Sequence, residues 1–142
     1  MYSPKILDHL ENPRHVGEIS DPTVRGESFN PVCGDRLTFT LQVDAGVVRA
    51  ARFLVDGCPP SIAAGSVLAG LVIGLPVAEA VALTPRQVST ELGGLPPNKE
   101  HCAILAIDAL RSALGRLPGR GDQASRPIEP GEADRDSTGR GL

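Results

Sequence analysis

The chain has 142 residues, 41% of them apolar, which suits one domain with an ordinary globular core. With no Trp, one Tyr and three Phe, that core must be filled by Ala, Val, Ile and Leu. Fourteen basic residues against 17 acidic ones give a net charge of -3 and form no basic run or stripe, which argues against nucleic acid as a partner.

Met1-Tyr2-Ser3-Pro4-Lys5 lacks the basic and then apolar regions of a secretory signal, so the cytoplasm is the expected compartment. The three cysteines, an odd number, are read there as thiols rather than disulfides. The longest apolar stretch, Ile62 to Leu75, is too short to span a bilayer and is interrupted by Gly65, Ser66, Gly70 and Gly74, so no membrane partner is expected.

In chain order, Ser3-Pro4 predicts a helix start, with Ser3 as N-cap and Pro4 at the first helical position, and Pro13 stops the helix at Asn12. Asn12 to Val24 reads as a loop. His9 and His15 are read as solvated histidines, because neither lies beside another candidate ligand. A short edge strand is expected around Gly26 to Asn30. Leu37 to Val43 alternates strictly, as a half-buried strand does. Asp44-Ala45-Gly46 predicts a three-residue type I turn closed by a glycine bulge, and Val47 to Asp56 returns as the partner strand with imperfect alternation.

The apolar stretch from Ile62 reads as a buried helix, with Ser61 as its cap and Cys58 at or just before its N-terminus. A short helix follows from Pro76 to about Leu83. The capping box Thr84-Pro85-Arg86-Gln87 opens another, which ends at Gly93-Gly94. Leu95-Pro96-Pro97 must be extended. Asn98 is expected to cap a last helix with His101 and Cys102 in its first turn and Ala103, Ala106, Ile107, Leu110, Leu114 and Leu117 at helical spacing. From Arg116 onward Gly, Pro and charges of balanced sign dominate, so residues 1–116 are assigned to one folded domain and 117–142 to a disordered tail.

Cys33-Gly34-Asp35 places a thiol and a carboxylate on one loop, and Cys58 and His101-Cys102 sit at helix starts. Thiolates suit zinc, copper(I) and iron-sulfur clusters, and three of them need one more donor for a tetrahedral set, here Asp35 or His101. Helix dipoles at Cys58 and Cys102 favour thiolate. Spacing alone is a weak signal, since 24 residues separate Cys33 from Cys58 and 43 separate Cys58 from Cys102. Scattered buried thiols would read the same way.

Asn12-Pro13-Arg14-His15-Val16-Gly17, Cys33-Gly34-Asp35, Gly57-Cys58, Ser61-Ile62-Ala63 and Leu95 to Cys102 occur in an order that resembles the U-type iron-sulfur cluster scaffold family, of the IscU or NifU amino-terminal type. The resemblance spans about residues 1–116. It implies an α+β fold with a small antiparallel sheet, of about three strands, packed with helices. It also implies a scaffold, not an enzyme, that builds a [2Fe-2S] cluster from iron and sulfur supplied by a cysteine desulfurase and passes it to apo-proteins. On matching positions Cys33, Cys58 and Cys102 are the implied thiolate ligands, with Asp35 and His101 as exchangeable fourth donors and Zn2+ or Fe2+ able to occupy the same site.

Cys102 is the first candidate for the sulfur acceptor, with His101 handling a proton, and Cys33 is the second. Leu95-Pro96-Pro97-Asn98-Lys99 resembles the Leu-Pro-Pro-Val-Lys segment read by a specialised chaperone, with Asn98 in place of the valine. An iron or electron donor completes the implied partners. Pro59-Pro60 and Gly65-Ser66 depart from the family's usual small and serine-rich pattern, and the further domains of full nitrogen-fixation scaffolds are absent from the sequence.

Two other readings compete. One is a zinc-bearing sulfur acceptor that stimulates the desulfurase, although the branch known for this carries an insertion between the second and third cysteines that does not fit here. The other is a cysteine-nucleophile enzyme using Cys102 with His101, two neighbours that point roughly 100° apart on a helix.

Overall fold

The alternating stretch forms the middle strand of a three-stranded antiparallel sheet in the computed structural model, which describes residues 2–118. The strands are β1 (Val24–Asn30), β2 (Asp35–Asp44) and β3 (Val47–Asp56), in the order β1-β2-β3. Among the described residues five α-helices accompany them: α1 (Pro4–Glu11), α2 (Pro59–Val72), α3 (Val77–Val81), α4 (Pro85–Glu91) and α5 (Glu100–Leu114). The α+β class expected from the sequence is the one observed.

One face of the sheet carries the core. Leu37, Phe39 and Leu41 on β2 are fully buried, flanked by Val24 on β1 and by Ala51 and Phe53 on β3. Register puts Gly26, Phe39 and Phe53 in one row across the three strands. Helix α5 crosses that row at Gly26, so closely that a Cβ there would stand 2.2 Å from the backbone nitrogen of Ala113. Only glycine fits. Helix α2 lies against β3 and α5, α1 packs on α2, and α4 packs on α5.

The other face is more covered than a half-buried strand predicts: Thr38 and Thr40 are buried. The loop after α1 crosses that side. His15 and Gly17 exchange backbone hydrogen bonds with Phe53 at 3.0 and 2.8 Å, and Thr40 Oγ1 accepts from the Ile19 N–H at 3.0 Å.

Several local expectations are corrected. The β2–β3 hairpin closes through two residues, Ala45 and Gly46, both at positive φ (53° and 76°), as in a type I′ turn; the irregularity lies instead at Gln42/Val43, where the pairing jumps from Ala50 to Val48. Arg49 is thus the extra residue, and it breaks the alternation of β3. Helix α2 begins at Pro59, because two residues without N–H groups suit the first turn, which needs no donors; Cys58 is its N-cap and Ser61 lies inside it. Helix α3 is shorter than expected. Of the stretch expected to be extended, Pro97 instead opens a 3-10 turn, Pro97–Lys99, and Asn98 sits within it, so Lys99 and not Asn98 precedes α5.

Ser3 caps α1 by accepting from the Ile6 N–H at 3.1 Å, and Thr84 forms the predicted capping box with Gln87. The tail expected over 117–142 lies, from residue 119, outside the described residues, while Leu117 packs against the core. Among the described residues no helix is long and apolar enough to cross a membrane.

Candidate metal centre

Strand register carries Asp35 into the site. Arg36 pairs with Asp56, so position 35 falls beside Gly57, just past the end of β3. A Cβ on Gly57 would stand 2.6 Å from the Asp35 Cγ. Because glycine leaves that space open, the buried Asp35 carboxylate lies against the chain and reaches Cys58, whose S–H donates to Oδ2 at 3.2 Å.

Cys58 is the N-cap of α2 but makes no capping hydrogen bond with its side chain, so its sulfur turns toward the site. It lies 3.5 Å from the Cys102 sulfur. Cys102 and His101 occupy the first turn of α5, so two helix N-termini converge here and their partial positive charge favours anionic donors. Donor atoms of Asp35, Cys58, His101 and Cys102 all lie within 4.8 Å of one another.

Cys33 stands at the edge of this group. Its four-residue loop between β1 and β2 is pinned by the Asn30 side chain, whose Oδ1 accepts from the Val32 and Cys33 N–H groups at 2.9 and 3.4 Å. The exposed Cys33 sulfur lies 3.2 Å from His101 Nε2, nearer than Cys102 at 3.7 Å.

Sequence reasoning expected a helix N-terminus to favour thiolate at Cys102. Burial acts more strongly: it pushes the Cys102 thiol up to about 12, and the neighbouring Cys58 and Asp35 raise it too, against the opposing Ser61 hydroxyl. The residue that sequence reasoning misassigned is Ser61. Fully buried, it donates to Asp35 Oδ2 at 3.0 Å and lies 3.4 Å from the Cys58 sulfur. Its position three residues after Cys58, one helical turn on, was the available signal once the helix is started at Pro59.

A family model described as the NifU-like N-terminal domain matches residues 1–124. The chain belongs to this family. Among its relatives, the iron-sulfur cluster assembly scaffold protein IscU of Aquifex aeolicus is 40% identical over 88% of this chain and 83% of its own length. The protein of that name from Escherichia coli is 41% identical over 80% of this chain and 91% of its own. The crystal structure of a scaffold protein for the SUF system from Fervidobacterium islandicum shares the fold, with a TM-score of 0.66 at 24% identity over 80% of this chain and 96% of that one.

The NifU-like chain keeps its other histidines out of the centre. His9 Nδ1 lies 2.7 Å from the Ser66 hydroxyl, which also accepts from the Arg14 N–H at 2.8 Å, so His9 joins α1 to α2 rather than standing in solvent. His15 contributes its backbone to the bridge with Phe53. In the segment Leu95 to Lys99, Leu95 is buried while Pro97 and Asn98 are exposed. A cleft of about 270 Å³ lined by Tyr2, Pro96, Asn98 and Lys99 opens beside them.

Proposed function

We propose that this chain is a scaffold on which a [2Fe-2S] cluster is assembled and from which it is passed to apo-proteins. The observation that carries this reading is the convergence of Asp35, Cys58, His101 and Cys102, with Cys33 standing beside His101. Cys33, Cys58 and Cys102 are the thiolate ligands in this reading, and Asp35 and His101 compete for the fourth place. The same donor set suits Zn2+ or Fe2+. Five donors for four places, one of them a hard carboxylate beside soft thiolates, describe a site built to release its cargo.

Sulfur arrives from a cysteine desulfurase as a persulfide on one of the thiols. Cys33 is reachable as it stands, whereas the fully buried Cys102 takes up sulfur only after the His101–Cys102 turn moves outward. The exposed Cys33 loop leaves the site open to partners on that side, and the exposed Pro97-Asn98 turn suits a chaperone that reads this segment, with an iron or electron donor as a further partner.

Anaerobic reconstitution with ferrous iron and a sulfur source tests the reading. The expected product is brown and carries iron and acid-labile sulfide in near equal amounts. A colourless protein that retains only zinc and stimulates a desulfurase would overturn it in favour of the sulfur-acceptor reading.

A further inference from the structure

Asp35 is held in the site by two hydrogen bonds to the same oxygen, Oδ2: one from the Cys58 S–H at 3.2 Å and one from the Ser61 O–H at 3.0 Å. These two do not survive metal binding equally. A thiol binds metal as thiolate, so loading removes the Cys58 proton and with it the first hydrogen bond. It also leaves two anionic groups side by side, which repel.

We infer that Ser61 is the positioning residue that keeps Asp35 among the ligands of the loaded site. The hydroxyl is fully buried in the first turn of α2, and its hydrogen bond to the carboxylate is charge-assisted and shielded from water. With Ser61 present, the carboxylate stays beside Cys58 despite the thiolate. Without it, Asp35 withdraws and His101, the other donor that competes for the fourth place, takes it. Ser61 thereby sets how weak the fourth ligand is, and so how readily the cargo leaves.

The inference rests on the metal-binding reading above, and Co2+ added anaerobically to the full, reduced chain separates the two. Ser61→Ala, Asp35→Ala and the double variant are compared with the parent. The expected result is one shifted ligand-field spectrum shared by all three variants, with [2Fe-2S] decay slowed by the same factor in each. Alanine is a better helix former than serine at this position, so the fold should persist, which circular dichroism checks. A Ser61→Ala spectrum that superimposes on the parent overturns the inference. So do additive effects of the two substitutions, an Asp35→Ala spectrum identical to the parent, or loss of the fold in Ser61→Ala. If the parent takes up Co2+ without any thiolate charge-transfer absorption, the metal reading itself fails and takes this inference with it.

Discussion

The sulfur of Cys33 stands 3.2 Å from Nε2 of His101, on an exposed loop, while Cys102, the residue next to His101, is fully buried with its thiol raised to about 12. The three thiols should therefore react in the order Cys33, Cys58, Cys102. At pH 8 a thiol with such a value is thiolate in only about 1 part in 10,000. Timed alkylation of metal-free protein followed by peptide mass spectrometry reads the order; rapid labelling of Cys102 would show that the site opens in solution. Persulfide trapping in single Cys→Ser variants then decides which thiol accepts sulfur, and labelling of a Cys102→Ser chain equal to the parent would remove Cys102 from consideration.

Asp35 brings a hard oxygen to a site otherwise made of sulfur and imidazole. Asp35→Ala should lengthen the lifetime of the reconstituted cluster, roughly several-fold, because a better-matched donor closes the set. Visible absorption followed in air gives the decay. Equal rates in variant and parent would rule out a role for the carboxylate in release.

Gly57→Ala is expected to cost about 1–3 kcal/mol, since the new methyl would meet the Asp35 carboxyl at 2.6 Å and the buried side chain has little room to move. The melting temperature of the metal-free protein should fall by several degrees, and the Co2+ spectrum should move toward that of Asp35→Ala. An unchanged melting temperature would mean that the β3–α2 corner yields freely.

His9 links α1 to α2 through Ser66, and burial, aided by the Arg14 charge, holds its imidazole below the ordinary histidine value of 6.5. A depressed folded value means that the unfolded chain binds the proton first as pH falls. The stability from this contact is therefore complete above pH 6.5 and is lost as pH drops through the folded value. A thermal melt series between pH 7.5 and 5 should show a decline that His9→Gln flattens. A parallel decline in the variant would assign it to other groups.

Elements governed by neighbours in the chain are legible in the sequence. The Ser3 cap, the Thr84 capping box, the extended run of β2 and the helical spacing of α5 as far as Leu114 depend on interactions within a few residues, and each appears where the sequence puts it. The structure departs from the sequence expectations where distant contacts intervene. Thr40 is buried where the loop after α1 crosses it, and His9 is engaged because α2 brings Ser66 to it. Asn98 is a good cap by residue type, yet it lies inside the 3-10 turn Pro97–Lys99 and stays exposed.

The donor residues themselves were visible in the sequence as a thiol and carboxylate on one loop, a cysteine at a helix start, and a histidine and cysteine at another. What the sequence determined is this supply of ligand chemistry and the local elements that present it, because residue type and short-range propensity suffice for both. Only the tertiary structure decided that Asp35, Cys58, His101 and Cys102 meet, that Cys33 stands off beside His101, and that Ser61 bonds Asp35 instead of capping α2. Those facts follow from strand register, from the corner at Gly57 and from the packing of α2 and α5, which join positions tens of residues apart.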